Sequence, residues 1–304
     1  MTLDQERDSP PVRAPAGGGA DARCGPTAQR IVLGVQLRRL REAASITTWQ
    51  AGEAIRASRS KISRLERGQT GVKKRDLADL LTLYGVTGQG EREELLILAR
   101  QASAPGWWQQ YKDILPKRLE RYIGLERAAS VIRAYEVQFV SGLMQTEDYA
   151  RAVILLANPG ASSDRTDRHV NLRMQRQQLL TEPGAPQLWA VLDETAVRRP
   201  QGGRHVMRAQ LEHLLRLTDL PNVTLQIVPF RSGPPAAAGA PFTILRFPEP
   251  DLPDVVYIEH LSGALYLDQP SDITSYQTVI NQLCVQALTG PDSKDMLRTL
   301  LTQT

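Results

Sequence analysis

Apolar side chains change their period along the chain. From residue 27 to 102 they recur at three- and four-residue intervals, which places them on single helix faces. Ile31, Val35, Leu37 and Leu40 give the buried stripe of a helix from Thr27 to Ala43. Ala51, Gly52 and Ile55 form the inner face of a short helix capped by Thr47 or Thr48, and Ile62 and Leu65 that of a second, capped by Ser58. Leu77, Leu80, Leu81 and Leu83 mark a helix from Lys74 to Tyr84 that Gly85 ends, and Leu95, Leu96, Leu98 and Ala99 mark one from Glu91 to Ala102. Beyond Ala128 the pattern is mixed. Val131–Val140, Gln187–Asp193, Val223–Phe230, Phe242–Phe247 and Val255–Asp268 have strand composition, the last predicted to be a hairpin turning near Ser262 and Gly263. Helical stretches alternate with them at Thr146–Ala157, Asp164–Leu180, Gly203–Leu217, Ile273–Leu288 and Ser293–Leu301. The fold class expected is multidomain, an all-α five-helix unit followed by a larger α+β domain.

The punctuation between these regions sets the domain boundaries. Residues 1–26 are rich in Pro, Gly and Ala with balanced charge, too little apolar surface to offset ordering, so a disordered tail is expected there. The five-helix unit occupies 27–103. Pro105 and Gly106 break its last helix and open a linker over 104–127 that carries Trp107 and Trp108. With only 5% aromatic residues in the chain, that pair is its densest apolar payload, placed either for packing between domains or subunits or for base stacking. The α+β domain fills 128–304. No apolar run approaches the ~20 residues of a spanning helix, and MTLDQERDSP has neither the basic start nor the apolar core of a signal peptide, so a cytoplasmic protein with no membrane partner is expected. Cys24 and Cys284 are too few and too far apart for a disulfide framework or a metal site.

Charge is partitioned rather than spread. Thr27 to Leu83 holds twelve Lys and Arg against five acids, a surplus of seven, whereas the whole chain carries +4. Everything outside that segment is therefore net negative. A local cationic surplus of this kind is the electrostatic footprint of a module that binds a polyanion.

The segment TWQAGEAIRASRSKISRLE, Thr48 to Glu66, concentrates that charge on one helix. Arg59, Ser60, Lys61, Ser63 and Arg64 point outward over Ile62 and Leu65. Such a face suits the DNA major groove, because Arg pairs with guanine O6 and N7, Ser bonds base or phosphate, and Lys neutralises phosphate. Lys73, Lys74 and Arg75 lie at the next helix start, where backbone N–H groups also favour phosphate. The segment resembles the helix-turn-helix of the Xre/Cro/C1-type regulators, with VLGVQLRRLREAASIT as the family's first helix and SRSKISRLERG as its recognition helix and exit. The resemblance implies double-stranded DNA as partner and Thr48, Arg59, Ser60, Lys61, Ser63, Arg64, Lys73 and Lys74 as the contacts. Arg56 stands at the turn where that family usually has Gly, at a cost of about 1 kcal/mol if φ is positive there, and Thr48 stands where it often has Gln.

The later region resembles a specific group as well. IRAYEVQFVSGLMQTEDYARAVI, DETAVRRPQGG, LPNVTLQIVPF and VVYIEHLSGALYLD are similar to the large C-terminal domain of actinobacterial Xre-type regulators, the WhiJ-like ones among them. That resemblance implies a transcriptional regulator, often paired with a small protein encoded next door in an antitoxin-like arrangement. It supplies no ligand. Among the residues themselves, none of the four histidines falls in a metal-ligand spacing, and neither GxSxG nor a P-loop is present, so no metal, no cofactor and no enzyme activity are expected. Asp193, Glu194, Arg198 and Arg199 at one strand end, with Glu259 and His260 on another strand, are either the lining of a small polar-ligand pocket or paired surface ions. The loop from Ser232 to Ala240 is either a lid or a long connection.

Three functions fit this reading. One is a sequence-specific DNA-binding regulator, a homodimer reading half-sites ~34 Å apart, whose C-terminal domain dimerises and receives a signal. A second is an antitoxin-like protein that chiefly binds a small partner protein and regulates itself through DNA. The third is an enzyme with a DNA-targeting module.

Overall fold

The computed structural model describes residues 25–234, 240–250 and 252–303. The expected tail therefore lies outside the described residues up to Cys24, as does the middle of the Ser232–Ala240 loop. Five helices come first: α1 (Pro26–Ala43), α2 (Thr48–Ala54), α3 (Arg59–Glu66), α4 (Lys74–Leu83) and α5 (Gln89–Ala102). Their core is Leu33, Leu37, Ala51, Ile55, Ile62, Leu65, Leu77, Leu80, Leu81 and Leu95, drawn largely from the apolar sets that the periodicity picks out. Gly52 sits against the turn that leads into α3; a Cβ there would lie 2.6 Å from the Ala57 carbonyl oxygen.

A single 3-10 turn at Trp107–Tyr111 and α6 (Lys117–Ala128) make the join. Trp108 is buried against Leu115, Ile123 and Leu172, with Trp107 set edge-on to it at 6.0 Å between ring centres. The pair is packing material.

The α+β domain then runs β1 (Val131–Glu136), α7 (Glu147–Ala157), α8 (Ser163–Gln177), β2 (Gln187–Asp193), α9 (Glu194–Arg198), α10 (Arg204–Leu217), β3 (Val223–Val228), β4 (Phe242–Arg246), β5 (Val255–His260), β6 (Gly263–Leu267), α11 (Pro270–Gln286) and α12 (Gly290–Gln303). Its strands form one mixed sheet in the order β3-β2-β1-β4-β5-β6. β1, β2 and β3 are parallel, joined by helical crossovers, and β4, β5 and β6 add an antiparallel half. Side chains alternate across it. Ile132, Leu188, Ala190, Leu192, Leu225 and Leu245 join α6, α10 and α12 on one face. Tyr135, Val191, Val228, Phe242 and Ile244 meet Ile280 and Leu283 of α11 on the other.

One element crosses the boundary drawn from sequence. The stripe of α1 looks uniform in the sequence, yet Ala28 and Ile31 enter the core of the α+β domain beside Tyr122 and Leu125, while Leu33 and Leu37 enter the five-helix core. Gly124 lets α6 lie directly on Thr27, and Gly34 lets α1 lie on the carbonyls of Leu65 and Glu66. α1 is thus common to both cores, because its 18 residues are long enough to present two different faces at its two ends.

Candidate nucleic-acid interface

The helix pair that carries the cationic face is fixed by local chemistry. Thr47 caps α2 in a reciprocal box: its Oγ1 accepts from Gln50 N at 3.2 Å, and Gln50 Oε1 accepts from Thr47 N at 2.8 Å. Ser58 caps α3, accepting from Lys61 N at 3.2 Å. Between them Arg56 has φ 51°, a left-handed residue where the chain leaves α2, and Ala57 N donates back to Gly52 O at 2.8 Å. Arg56 therefore occupies a position that favours glycine.

Behind α3 lies a charged lock. The guanidinium of Arg41 on α1 donates to both oxygens of Glu66 at 2.5 and 3.0 Å and to the Ile46 carbonyl at 2.9 Å, and both side chains are buried. The hydrogen bond to Glu66 raises the Arg41 pKa above its ordinary value, against the opposing effect of burial, so Arg41 stays ionised. Together with Ile62 and Leu65 it fixes the back of α3 against α1.

The opposite face is open. Arg59, Ser60 and Arg64 are exposed and Ser63 half-buried, and none of their side chains makes a hydrogen bond or ion pair to another side chain among the described residues. Lys61 differs: its ammonium lies 3.1 Å from Asp76 Oδ2, bridging α3 to α4 rather than standing free. Lys73 and Lys74 are exposed at the start of α4, with Lys73 in the N-cap position. Thr48 is half-buried at the first turn of α2. Next to it Trp49 is 60% exposed. The sequence reading passes over Trp49; the available signal is an aromatic residue at an outward position of a capped helix.

The C-terminal candidates separate into two places. Asp193 caps α9, its Oδ1 accepting from Thr195 N at 2.8 Å. Glu194 is buried and accepts from the Arg198 guanidinium and, at 2.7 Å, from Phe230 N. Arg199 is exposed. A cleft of about 540 Å³ opens here at the ends of β2 and β3, lined by Glu194, Arg198, Phe230, Arg231, Asp292 and Asp295. Glu259 and His260 lie across the sheet, beyond β1 and β4, and their side chains alternate. His260 turns to Ser262 in the hairpin, Nδ1 to Oγ 3.3 Å, whereas Glu259 stands near Glu136, Arg173 and Tyr257. Among the described residues no group of three or more His, Cys, Asp and Glu gathers as for a metal ion, and no helix is long and apolar enough to cross a membrane.

A capped helix pair, locked from behind and cationic in front, is the working part of a helix-turn-helix DNA-binding regulator. Comparison with known families agrees: residues 32–95 match a helix-turn-helix domain. Residues 119–299 match a family described as a domain of unknown function (DUF5753), which covers more than half of the chain, and the chain belongs to that family. No curated protein and no solved structure matches it.

Proposed function

We propose that this chain is a sequence-specific transcriptional regulator of the Xre type, akin to the actinobacterial WhiJ-like group, which acts in the cytoplasm as a homodimer. The observation that carries the reading is the α3 face: Arg59, Ser60, Ser63 and Arg64 presented without side-chain partners among the described residues, on a helix whose back is fixed by Ile62, Leu65 and the Arg41–Glu66 pair. In this account Arg59 and Arg64 read bases, the two serines add shorter contacts, and Thr48, Lys73 and Lys74 grip phosphate. Lys61 serves through Asp76, setting α4 and its lysines relative to α3. The α+β domain dimerises and receives a signal, and α1, shared between the two cores, carries the signal to α3. Chemistry on a substrate has no part in this reading.

The test is capture of sheared genomic DNA by the purified protein near physiological salt, followed by sequencing. A sharply enriched motif with two-fold symmetry is the expected result. Broad enrichment that disappears with modest added salt means phosphate binding alone and refutes sequence-specific reading.

A second reading, an antitoxin-like protein that binds a small partner and regulates itself, draws support from a groove of about 480 Å³ between α1 and α5. Leu40, Ala43, Leu95 and Leu98 line it, with Glu91 and Glu94 at its rim, features that suit a helix-in-groove contact. Co-purification of a small neighbour-encoded protein, lost on Leu98→Glu, is its test.

A further inference from the structure

The two edges of the sheet are finished differently. At the β3 edge the outward backbone of Ile227 is taken up: its N–H donates to Ser293 Oγ at 3.1 Å, and its carbonyl accepts from Leu288 N at 2.8 Å. The segment entering α12 thus covers that edge. At the other edge, β6 pairs with β5 alone among the described residues, and no other element bonds its backbone there. The loop of the β5–β6 hairpin is Leu261 and Ser262, and a two-residue loop closes on a hydrogen-bonded pair, here His260 with Gly263. Alternation then bonds Leu265 and Leu267 to β5 and points the N–H and C=O of Ala264 and Tyr266 outward.

Edge strands are normally guarded by Lys, Pro, a bulge or a covering element. β6 has no charged residue and no Pro, and the chain holds no Lys or Arg between Arg246 and Lys294. Leu265, at the midpoint of β6, is 51% exposed. The helix beside it is as easily covered. Ile273 and Tyr276 in the first turns of α11 share a core with Leu267, and on the outer side Thr274, Ser275 and Thr278 are exposed. Those three hydroxyls donate to the carbonyls of Pro270, Ser271 and Thr274 at 2.8, 2.8 and 2.9 Å, so removing water leaves none of them without a partner.

We propose that β6 is the dimer surface: two copies of this chain join their β6 strands antiparallel about a two-fold axis at Leu265, making one continuous sheet. The axis that pairs all of Gly263–Leu267 sets Ala264 opposite the partner's Tyr266, and Tyr266 opposite the partner's Ala264. Those are the residues whose backbone points outward, so the parity for about four new hydrogen bonds is met. Leu265 meets the partner's Leu265 in the close, non-hydrogen-bonded kind of pair, with Cα atoms about 4.5 Å apart. A foreign strand needs no such midpoint symmetry; a second copy does. An antiparallel join also turns about an axis perpendicular to the sheet, so each face continues into the same face of the partner. α6 lies on one face, and α1 packs on α6 through Thr27 and Gly124. Both helix-turn-helix units therefore fall on one side of the joined sheet, as two half-sites on one DNA require. The inference rests on the homodimer reading and supplies its surface.

The experiment is light scattering and cysteine cross-linking on the full chain, the cross-linking in a Cys24→Ala/Cys284→Ala background. Wild type is expected at the mass of two chains. Leu265→Lys, which sets like charges face to face on the axis, is expected at the mass of one, with the circular dichroism of a folded chain. Under mild oxidation Leu265→Cys should form a disulfide-linked dimer about tenfold or more faster than Leu261→Cys, because Cα atoms on the axis lie within disulfide reach. Leu261 is the more exposed residue, yet it stands off the axis, about 27 Å from the partner's Leu261. A dimer that persists in Leu265→Lys, or equal cross-linking rates at the two positions, overturns this surface and leaves the homodimer standing. A monomeric wild type overturns both. Neither result touches sequence reading by α3, which DNA capture tests by itself.

Discussion

Two pairs of arginines, one in each half of the chain, are placed in opposite ways. In the helix-turn-helix half, Arg59 and Arg64 stand in solvent with no side-chain partner among the described residues, while the buried Arg41 fixes the helix they stand on. In the α+β half, Arg173 and Arg176 are turned inward over the sheet, and Arg176 is locked to Glu126. Free cations cost the fold nothing and remain available to a polyanion. Inward cations are desolvated and must be matched by carboxylates or by aromatic faces such as Tyr122 under Arg176. The contrast separates charge that holds the frame from charge kept for a partner.

If that separation is right, breaking a frame pair and removing a free cation have different consequences. Glu66→Ala takes the buried Arg41 guanidinium's closest partner and leaves it only the exposed Glu42 at 3.5 Å and the Ile46 carbonyl, and should lower stability by about 3 kcal/mol in urea unfolding. Its effect on DNA binding would follow only from the loss of folded protein. Arg59→Ala or Arg64→Ala should do the reverse: about 1–3 kcal/mol lost at the specific site by titration, with the melting temperature unchanged.

The inward charges also predict a pH dependence. Glu136 keeps its proton in the folded chain to about 8, against an ordinary 4.5. A carboxyl group whose folded pKa is raised favours the fold fully below its ordinary pKa, and that contribution falls as pH climbs towards the folded value. Melting temperatures of Glu136→Gln should therefore decline less than those of the wild type between pH 5 and 8.

Smaller effects sharpen the comparison at the turn and at the phosphate-gripping helix start. Arg56→Gly relieves a left-handed conformation and should stabilise the chain by about 1 kcal/mol, read as a higher urea midpoint. Lys73→Ala should weaken all DNA sequences about equally and reduce the salt slope by roughly one.

Local features of this architecture could be read from the chain because they depend on neighbours a few residues away. The caps at Thr47 and Ser58, the small residue at Gly52, the turn at Arg56 and the β5–β6 hairpin are all short-range. The Gln187–Asp193 strand agrees residue for residue. What depended on distant partners was hidden. Periodicity shows that Ile31 and Leu37 face inward, but not that they enter different cores. Lys61 has the spacing of a DNA contact, and only folding brings Asp76 to it. The five-residue α9 is too short to show a period at all.

The central claim is that α3 reads sequence while the rest of the basic surface grips phosphate. The direct measurement is genomic-DNA capture and sequencing with wild type and the Arg59→Ala/Arg64→Ala variant side by side at one salt concentration. The account predicts that the wild-type motif collapses in the variant while salt-sensitive general binding persists. The same motif, enriched equally by both proteins, would contradict it.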